Sequence, residues 1–369
     1  MPSISVVVSV LNPPALTANF LHWLATDLME DDVELIVVCD GDTNVRTHRL
    51  LRDAQTDRRK VRVVFLDQPS GYAVANNLAA QEACGDVLLF LNTDTFPTKG
   101  AIRTLAEFVK TNQDVGVAQG LMLYPQNLLV QSCGHIFGPF FNQHAFLGRS
   151  TNVSIVNQPA DRQALSSAFY AVRRGDFIQN KGFDEFYLNS FEGMEFSLRM
   201  QLSGYRCVYR PEARAYHLQG GSRKHFAINE DQEIAYFWSK WGSRIRQDLD
   251  DILAAQMHPE HKKRNYLIVS ASTNRSWKRS LDTLGLRGEY VATWTGPYQE
   301  LLLAEILVPE IHRSNSPILF LTDSFRQLIG NVLWFSTRPD RADLVLDCHG
   351  NVVGVAELIS PLPESIIYP

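Results

Sequence analysis

No apolar run in the 369 residues approaches the ~18 that a membrane-spanning helix needs, so the sequence predicts no transmembrane helix. Cysteine is sparse: Cys39, Cys84, Cys133, Cys207 and Cys348 are scattered, with no Cys-x-x-Cys pair. That spacing excludes the usual zinc ligand set and a disulfide framework, and it fits reduced thiols. Positive charge is not in excess. Thirty-five Lys and Arg against forty Asp and Glu give a net charge of −5, which argues against a nucleic-acid-binding surface. No Gly-x-Gly-x-x-Gly follows the first apolar segment, so the dinucleotide-binding fingerprint is missing. Met1-Pro2-Ser3 leads straight into apolar residues without the basic start and cleavage site of a signal peptide. The expectation is a cytoplasmic protein. Repeats, low-complexity tracts and heptads are also missing.

What is present is ordinary globular material, 45% hydrophobic and 20% charged, enough for two domains. Buried strands are predicted at Ile4 to Leu11, Val33 to Cys39, Val61 to Leu66 and Val87 to Leu91. Helices are predicted between them, at Ala15 to Leu28 and Tyr72 to Ala83 among others. The alternation is that of a parallel sheet covered on both faces. From 115 to 165 the pattern is irregular, read as short strands and a long loop from Gln143 to Arg162. A strand is expected at Ser167 to Arg173, a helix over most of Asp184 to Gly204, and a strand at Tyr205 to Tyr209. Tyr216 to Lys224 reads as a loop with His217 and Gly220-Gly221, and 229–256 as helical.

The polar stretch Met257 to Arg264 reads as a linker. It divides a first domain, 1–256, from a small α/β domain, 265–369. The second has strands expected at Tyr266 to Ser270, Tyr290 to Thr295, Ile318 to Thr322 and Leu344 to Asp347. No glycine-rich phosphate loop follows its first strand, where Ser270-Ala271-Ser272-Thr273-Asn274 stands. Asp347-Cys348-His349-Gly350 reads as a turn. This domain resembles nothing that assigns it a role; acceptor binding, oligomerisation and docking of a partner protein stay open.

Four loops carry candidate chemistry, because ligands of open α/β sheets collect beyond the carboxyl ends of the strands. Asp40-Gly41-Asp42-Thr43 offers a carboxylate to a base or ribose, or is a plain Asp-Gly turn. Ser70 to Asn77, with Gly71 and Asn76, allows close backbone approach and presents helix amides to a phosphate, or simply packs a helix on the sheet. Asn92-Thr93-Asp94 ends a buried strand where a cation bridging phosphates wants oxygen ligands, or Asp94 caps a helix starting near Thr98. Glu192, Glu195 and Arg199 share a helical face, a site for a general base or a solvated ion pair. His217, downstream, is a metal ligand with Asp94 or a loop histidine.

In order and spacing, these loops resemble the family 2 inverting glycosyltransferases of the GT-A fold over roughly residues 3 to 245. The resemblance rests on Cys39-Asp40-Gly41-Asp42, on Gln68 to Asn77, and on Gly85 to Thr95, which follows Gly-Asp-x-Leu-Leu-Phe-Leu-Asn-x-Asp-Thr. It continues through Gly182 to Phe186, Glu192 to Arg199, Gly204 to Arg206 and Pro211 to His217. Within that family the chain resembles rhamnosyltransferase-like bacterial members. The resemblance implies a GT-A nucleotide-diphospho-sugar transferase fold, a Rossmann-like mixed sheet. It implies Mn²⁺ or Mg²⁺ held by Asp94 and His217, and a nucleotide-diphosphate sugar bound by Asp40, Gly71, Asn76, Asn92 and Asp94. The acceptor implied is a saccharide or lipid-linked glycan in bacterial surface polysaccharide assembly, which would bring peripheral contact with the inner face of the membrane.

One departure bears on catalysis. The family's Glu-Asp-x-Asp is here Glu192-Gly193-Met194-Glu195, with glycine where the usual base stands. Three readings follow: Glu192 takes over, Glu195 takes over, or the base is lost and the chain is a catalytically silent binding or scaffold protein. A nucleotide-sugar pyrophosphorylase is disfavoured, since no glycine-rich, lysine-bearing loop lies near residue 10.

Overall fold

The computed structural model describes residues 3–11, 13–25, 32–57, 60–139, 141–218, 230–272, 277–294, 303, 314–338 and 342–359. Compactness divides the chain into two units: Met1–His135 with Ser150–Ile245, and Ile136–Arg149 with Arg246–Pro369. The second unit thus starts earlier than the expected boundary and includes a segment from the middle of the chain. The expected linker at 257–264 lies within it.

In the first unit, Ile4–Val10 (β1), Val33–Asp40 (β2), Val61–Leu66 (β3) and Val87–Leu91 (β4) pair in parallel. Pro14–Trp23 (α1), Val45–Asp57 (α2) and Tyr72–Glu82 (α3) connect them. β4 is buried at all five residues, as its unbroken apolar run requires. α3 turns Ala73, Ala75, Asn76, Ala79 and Ala80 inward, and small side chains let its backbone lie close to the sheet. After β4 come Thr95–Pro97 (β5), Ala101–Thr111 (α4), Val115–Leu123 (β6) and Val130–Ser132 (β7). His135–Gly138 (β8) and Phe141–His144 (β9), which from Ile136 onward fall in the second unit, pair with each other. Ala160–Asp161 (β10), Phe169–Arg173 (β11), Arg174–Gln179 (α5), Glu192–Leu202 (α6), Arg206–His217 (β12) and Glu230–Trp241 (α7) complete the unit.

The sheet runs β10-β12-β6-β11-β4-β1-β2-β3, with β5 on β12 and β7 on β6. It is mixed, because β11 is antiparallel to both β4 and β6.

The structure corrects several expectations. β6 is a nine-residue strand buried throughout, inside the stretch read as irregular. Its glycines hid it. A Cβ on Gly120 would lie 2.3 Å from the Phe169 ring, so packing excludes a side chain there. α6 begins only at Glu192, with turns from Asp184 onward. β12 extends to His217, so that residue ends a strand and is not in a loop. The loop's Gly220-Gly221 lies outside the described residues. The expected helix over 229–256 is two helices, α7 and Leu249–Ala254 (α8), the second of them in the other unit.

The second unit adds Pro259–Lys262 (α9), Asn265–Ala271 (β13), Lys278–Leu284 (α10), Arg287–Thr293 (β14), Ile318–Thr322 (β15), Val332–Ser336 (α11), Leu344–Asp347 (β16), Val352–Gly354 (β17) and Val355–Ile359 (α12). The strand order is β14-β13-β15-β16-β17, parallel except for β17. Val269, Ile318, Phe320, Phe335 and Val345 form its core. The Asp347 carboxylate closes the turn after β16, accepting from the amides of His349 and Asn351 at 3.0 Å each. Burial pushes its pKa up. Thr273 and Asn274 lie outside the described residues.

Candidate active site

Ser9, Leu11, Asp40, Tyr72, Asn92, Thr93, Asp94 and Asn189 line one cavity at the carboxyl ends of β1, β2 and β4. That is where open α/β sheets gather ligands. Of the predicted donor residues, Asp40, Asn92 and Asp94 line it, while Gly71 and Asn76 are not among the lining residues.

Asp40 is already engaged. One carboxylate oxygen accepts from the Ser70 amide and hydroxyl at 2.7 Å each, the other from the Gly71 amide at 3.0 Å. It therefore braces the turn that starts α3, and three protein donors already occupy the oxygens expected to meet a base or ribose. Gly41 makes this fit: its φ is +70°, and a Cβ there would lie 2.1 Å from the Pro69 nitrogen. Gly71 precedes α3 with φ +95°, facing Leu188. Asn76 is fully buried and donates to Tyr72 O at 2.8 Å and Ser9 Oγ at 3.3 Å. The buried Oδ1 of Asn92 has no hydrogen-bond partner among the described residues. A buried acceptor left unmet costs ~1–3 kcal/mol, so a donor on a bound molecule is favoured at this edge of the cavity.

Asp94 and His217, 123 positions apart, meet because β5 pairs with β12, Thr95 opposite His217. The Leu218 amide donates to Asp94 O at 2.9 Å. Asp94 does not cap α4, which starts at Ala101 beyond β5. The His217 Nε2 lies 3.2 Å from Asp94 Oδ1, with both side chains largely buried. Gln131 fixes the ring. Its Nε2 donates to His217 O at 3.2 Å, so its Oε1, 2.5 Å from Nδ1, accepts the Nδ1 proton. With Nδ1 so engaged, Nε2 is the ring nitrogen left to share a bound cation with Asp94 Oδ1. Among the described residues no group of three His, Cys, Asp or Glu side chains is placed to hold a metal. A hard divalent ion that keeps waters and shares phosphate oxygens needs only one or two protein carboxylates, so this donor set fits one.

Glu192 opens α6 and is 4% exposed. It stands close enough to Tyr72 for its charge to oppose ionisation of that hydroxyl, though burial is the larger cause. Glu195 is placed differently. Fully buried, it binds Arg199 Nε at 2.7 Å and Lys240 Nζ at 2.8 Å, and Lys240 also reaches Asp184 at 2.8 Å. Both of its oxygens are engaged, Oε2 by Arg199 within α6 and Oε1 by Lys240 of α7, so its structural place is a brace. Gly193 has no room for a side chain: a Cβ would lie 2.6 Å from Ser167 N and 3.0 Å from Leu165 O.

Sequence reasoning missed Ser9, Tyr72, Asn189 and Gln131. Ser9 follows from the same strand-end rule that found Asp94. Gln131 and Asn189 had no signal, because only folding brings their short segments to the site.

The model of the family described as "Glycosyl transferase family 2" matches residues 5–158. The "O-antigen biosynthesis protein RfbC" of Myxococcus xanthus is 29% identical over 244 residues, covering 64% of this chain and 19% of that protein. An "N-acetylglucosaminyltransferase" of Neorhizobium galegae is 26% identical over 121 residues, covering 32% of this chain and 28% of that one. The chain thus spans under a third of the length of these curated relatives. Among solved structures, GalNAc-T7 with UDP, GalNAc and Mn²⁺ superposes with a TM-score of 0.52 at 13% identity, over 78% of this chain and 55% of that one. The likeness is one of fold. By this match over residues 5–158 the first unit resembles the family 2 glycosyltransferases, and its mixed sheet has the GT-A fold.

Proposed function

We propose that the chain is a metal-dependent, inverting glycosyltransferase that moves a sugar from a nucleotide-diphosphate donor to a saccharide or lipid-linked glycan. The observation that carries this reading is the Asp94–His217 pair at the cavity edge, its ring tautomer set by Gln131. Asp94 and His217 would hold Mn²⁺ or Mg²⁺, which when bound offsets the charge of the leaving nucleoside diphosphate. The Mn²⁺ and UDP bound to the solved GalNAc-T7 support that choice.

Asn92 Oδ1 accepts from the donor, and Asp40 keeps the Ser70–Gly71 turn in shape for it. Glu192 takes the proton of the acceptor hydroxyl as it attacks the anomeric carbon from the face opposite the leaving group. The reacting centre has oxocarbenium character. Glu195, with both oxygens in ion pairs, is not the base. The name of the Myxococcus relative, an O-antigen biosynthesis protein, supports a role in polysaccharide assembly; the inner face of the membrane is where this reading puts that work. No helix among the described residues is long and apolar enough to cross a membrane. Residues 265–369 are left for acceptor binding, self-association or a partner protein.

The second reading, a silent scaffold, is favoured by Gly193. Glu192→Gln decides between them. Release of nucleoside diphosphate from UDP-, dTDP- and GDP-sugars should fall ~10²–10⁴-fold, as expected for a lost general base, with nucleotide affinity unchanged. Equal turnover by wild type and variant would remove Glu192 from the mechanism. No turnover by the wild type with any donor and mixed glycan acceptors would favour the scaffold.

A further inference from the structure

Ser167 stands between two features of the site. On one side the Tyr72 hydroxyl donates to Ser167 O at 3.0 Å, while the Tyr72 side chain lines the cavity beside Asp40 and Asp94. On the other, Gly193 packs so closely that any Cβ would meet Ser167 N at 2.6 Å and Ser167 Cβ at 2.9 Å. The flanking residues are anchored separately. Ser166 N donates to Gln119 at 2.6 Å, Leu165 N to Ser197 at 3.2 Å, and Ala168 O accepts from Asn92 N at 3.2 Å. Residues 165–168 therefore form a ledge with the cavity residue Asn92 at one end and the first turn of α6 against it. Burial keeps the Tyr72 hydroxyl protonated, and so a donor, at any ordinary pH.

We propose that Tyr72 is a positioning residue: by holding Ser167 against Gly193 it sets the first turn of α6, and with it Glu192, relative to the donor cavity. Gly193 is the complement of this contact, since only a residue without a side chain admits the anchored ledge. The inference rests on the proposed transfer reaction for its catalytic consequence, but the contact itself is tested without it.

The test is a double-mutant cycle of Tyr72→Phe and Gly193→Ala, read by thermal unfolding, by calorimetric affinity for UDP, dTDP and GDP, and by nucleoside diphosphate release. Tyr72→Phe should lower turnover about tenfold or more, because ~1 Å of misplacement can cost ~10²-fold, with affinity within about twofold of wild type. Gly193→Ala should lower the melting temperature by several degrees. The double variant should be less destabilised than the two single effects combined, because an unanchored ledge can give way to the new methyl. Additive melting shifts would overturn the coupling. A fall in nucleotide affinity as large as the fall in turnover for Tyr72→Phe would overturn the positioning role. A wild type without turnover sinks the transferase reading, while coupled melting shifts in that same protein would still uphold the Tyr72–Ser167–Gly193 contact.

Discussion

Gly193 is a residue whose meaning changes between sequence and structure. Along the chain it reads as an acid that was lost. In the fold it is a position where no acid fits, because Ser167 and Leu165 fill the space above it. Restoring the family's residue should therefore fail. Gly193→Asp is expected to cost about 1–3 kcal/mol through overpacking, seen as a lower denaturation midpoint, and not to raise turnover. A more active variant would show that the ledge yields and that the base is indeed missing. Asp94 and His217 were legible as candidates, one from the strand-end rule and the other from the motif that closes with it. The orientation of His217 was not, because it depends on Gln131, 86 positions away.

Among the elements, the β5–β12 ladder and the α6–α7 contact do most to build the site. β5 has three residues and no periodic pattern long enough to read, yet its pairing with β12 brings Asp94 to His217. β1 to β4 were legible because each is a continuous apolar run. β6 was not, since Gly116 and Gly120 break its pattern in order to admit Tyr205 and Phe169. α6 is held to α7 by Lys240, which bridges Glu195 and Asp184 at 2.8 Å each. Lys240→Met leaves the buried Glu195 with Arg199 as its partner. Breaking a fully buried pair costs ~3–5 kcal/mol. Lys240 is a third exposed and Arg199 remains, so about 2 kcal/mol is expected from urea denaturation. A change below about 0.5 kcal/mol would show that this bridge does not hold the helices.

For the molecule as a whole, stability should depend on pH through His135, buried where β8 begins. Burial pulls its pKa from 6.5 down to about 4. Below pH 6.5 the unfolded chain takes up a proton that the folded chain refuses. The stabilisation is thus complete above 6.5 and is lost as the pH falls toward 4, with a slope of at most ~1.4 kcal/mol per pH unit from this group. His135→Gln should flatten the dependence between pH 6.5 and 4 in denaturant titrations; an unchanged slope would assign it to other groups. The alternation of strands and helices announced two α/β regions in the sequence, but not that 136–149 joins the second. Contacts between distant segments carry that membership, and no local pattern encodes it.

The central claim is that Asp94 and His217 form the metal end of a donor site. Calorimetric titration of the full chain with UDP, dTDP, GDP and CMP, with and without Mn²⁺, tests it most directly. The account predicts tight binding of one nucleoside diphosphate only with Mn²⁺ present, weakened at least about tenfold by Asp94→Ala, within the range for loss of a metal-site contact. Binding of none of these nucleotides, or binding indifferent to both Mn²⁺ and Asp94, would contradict it.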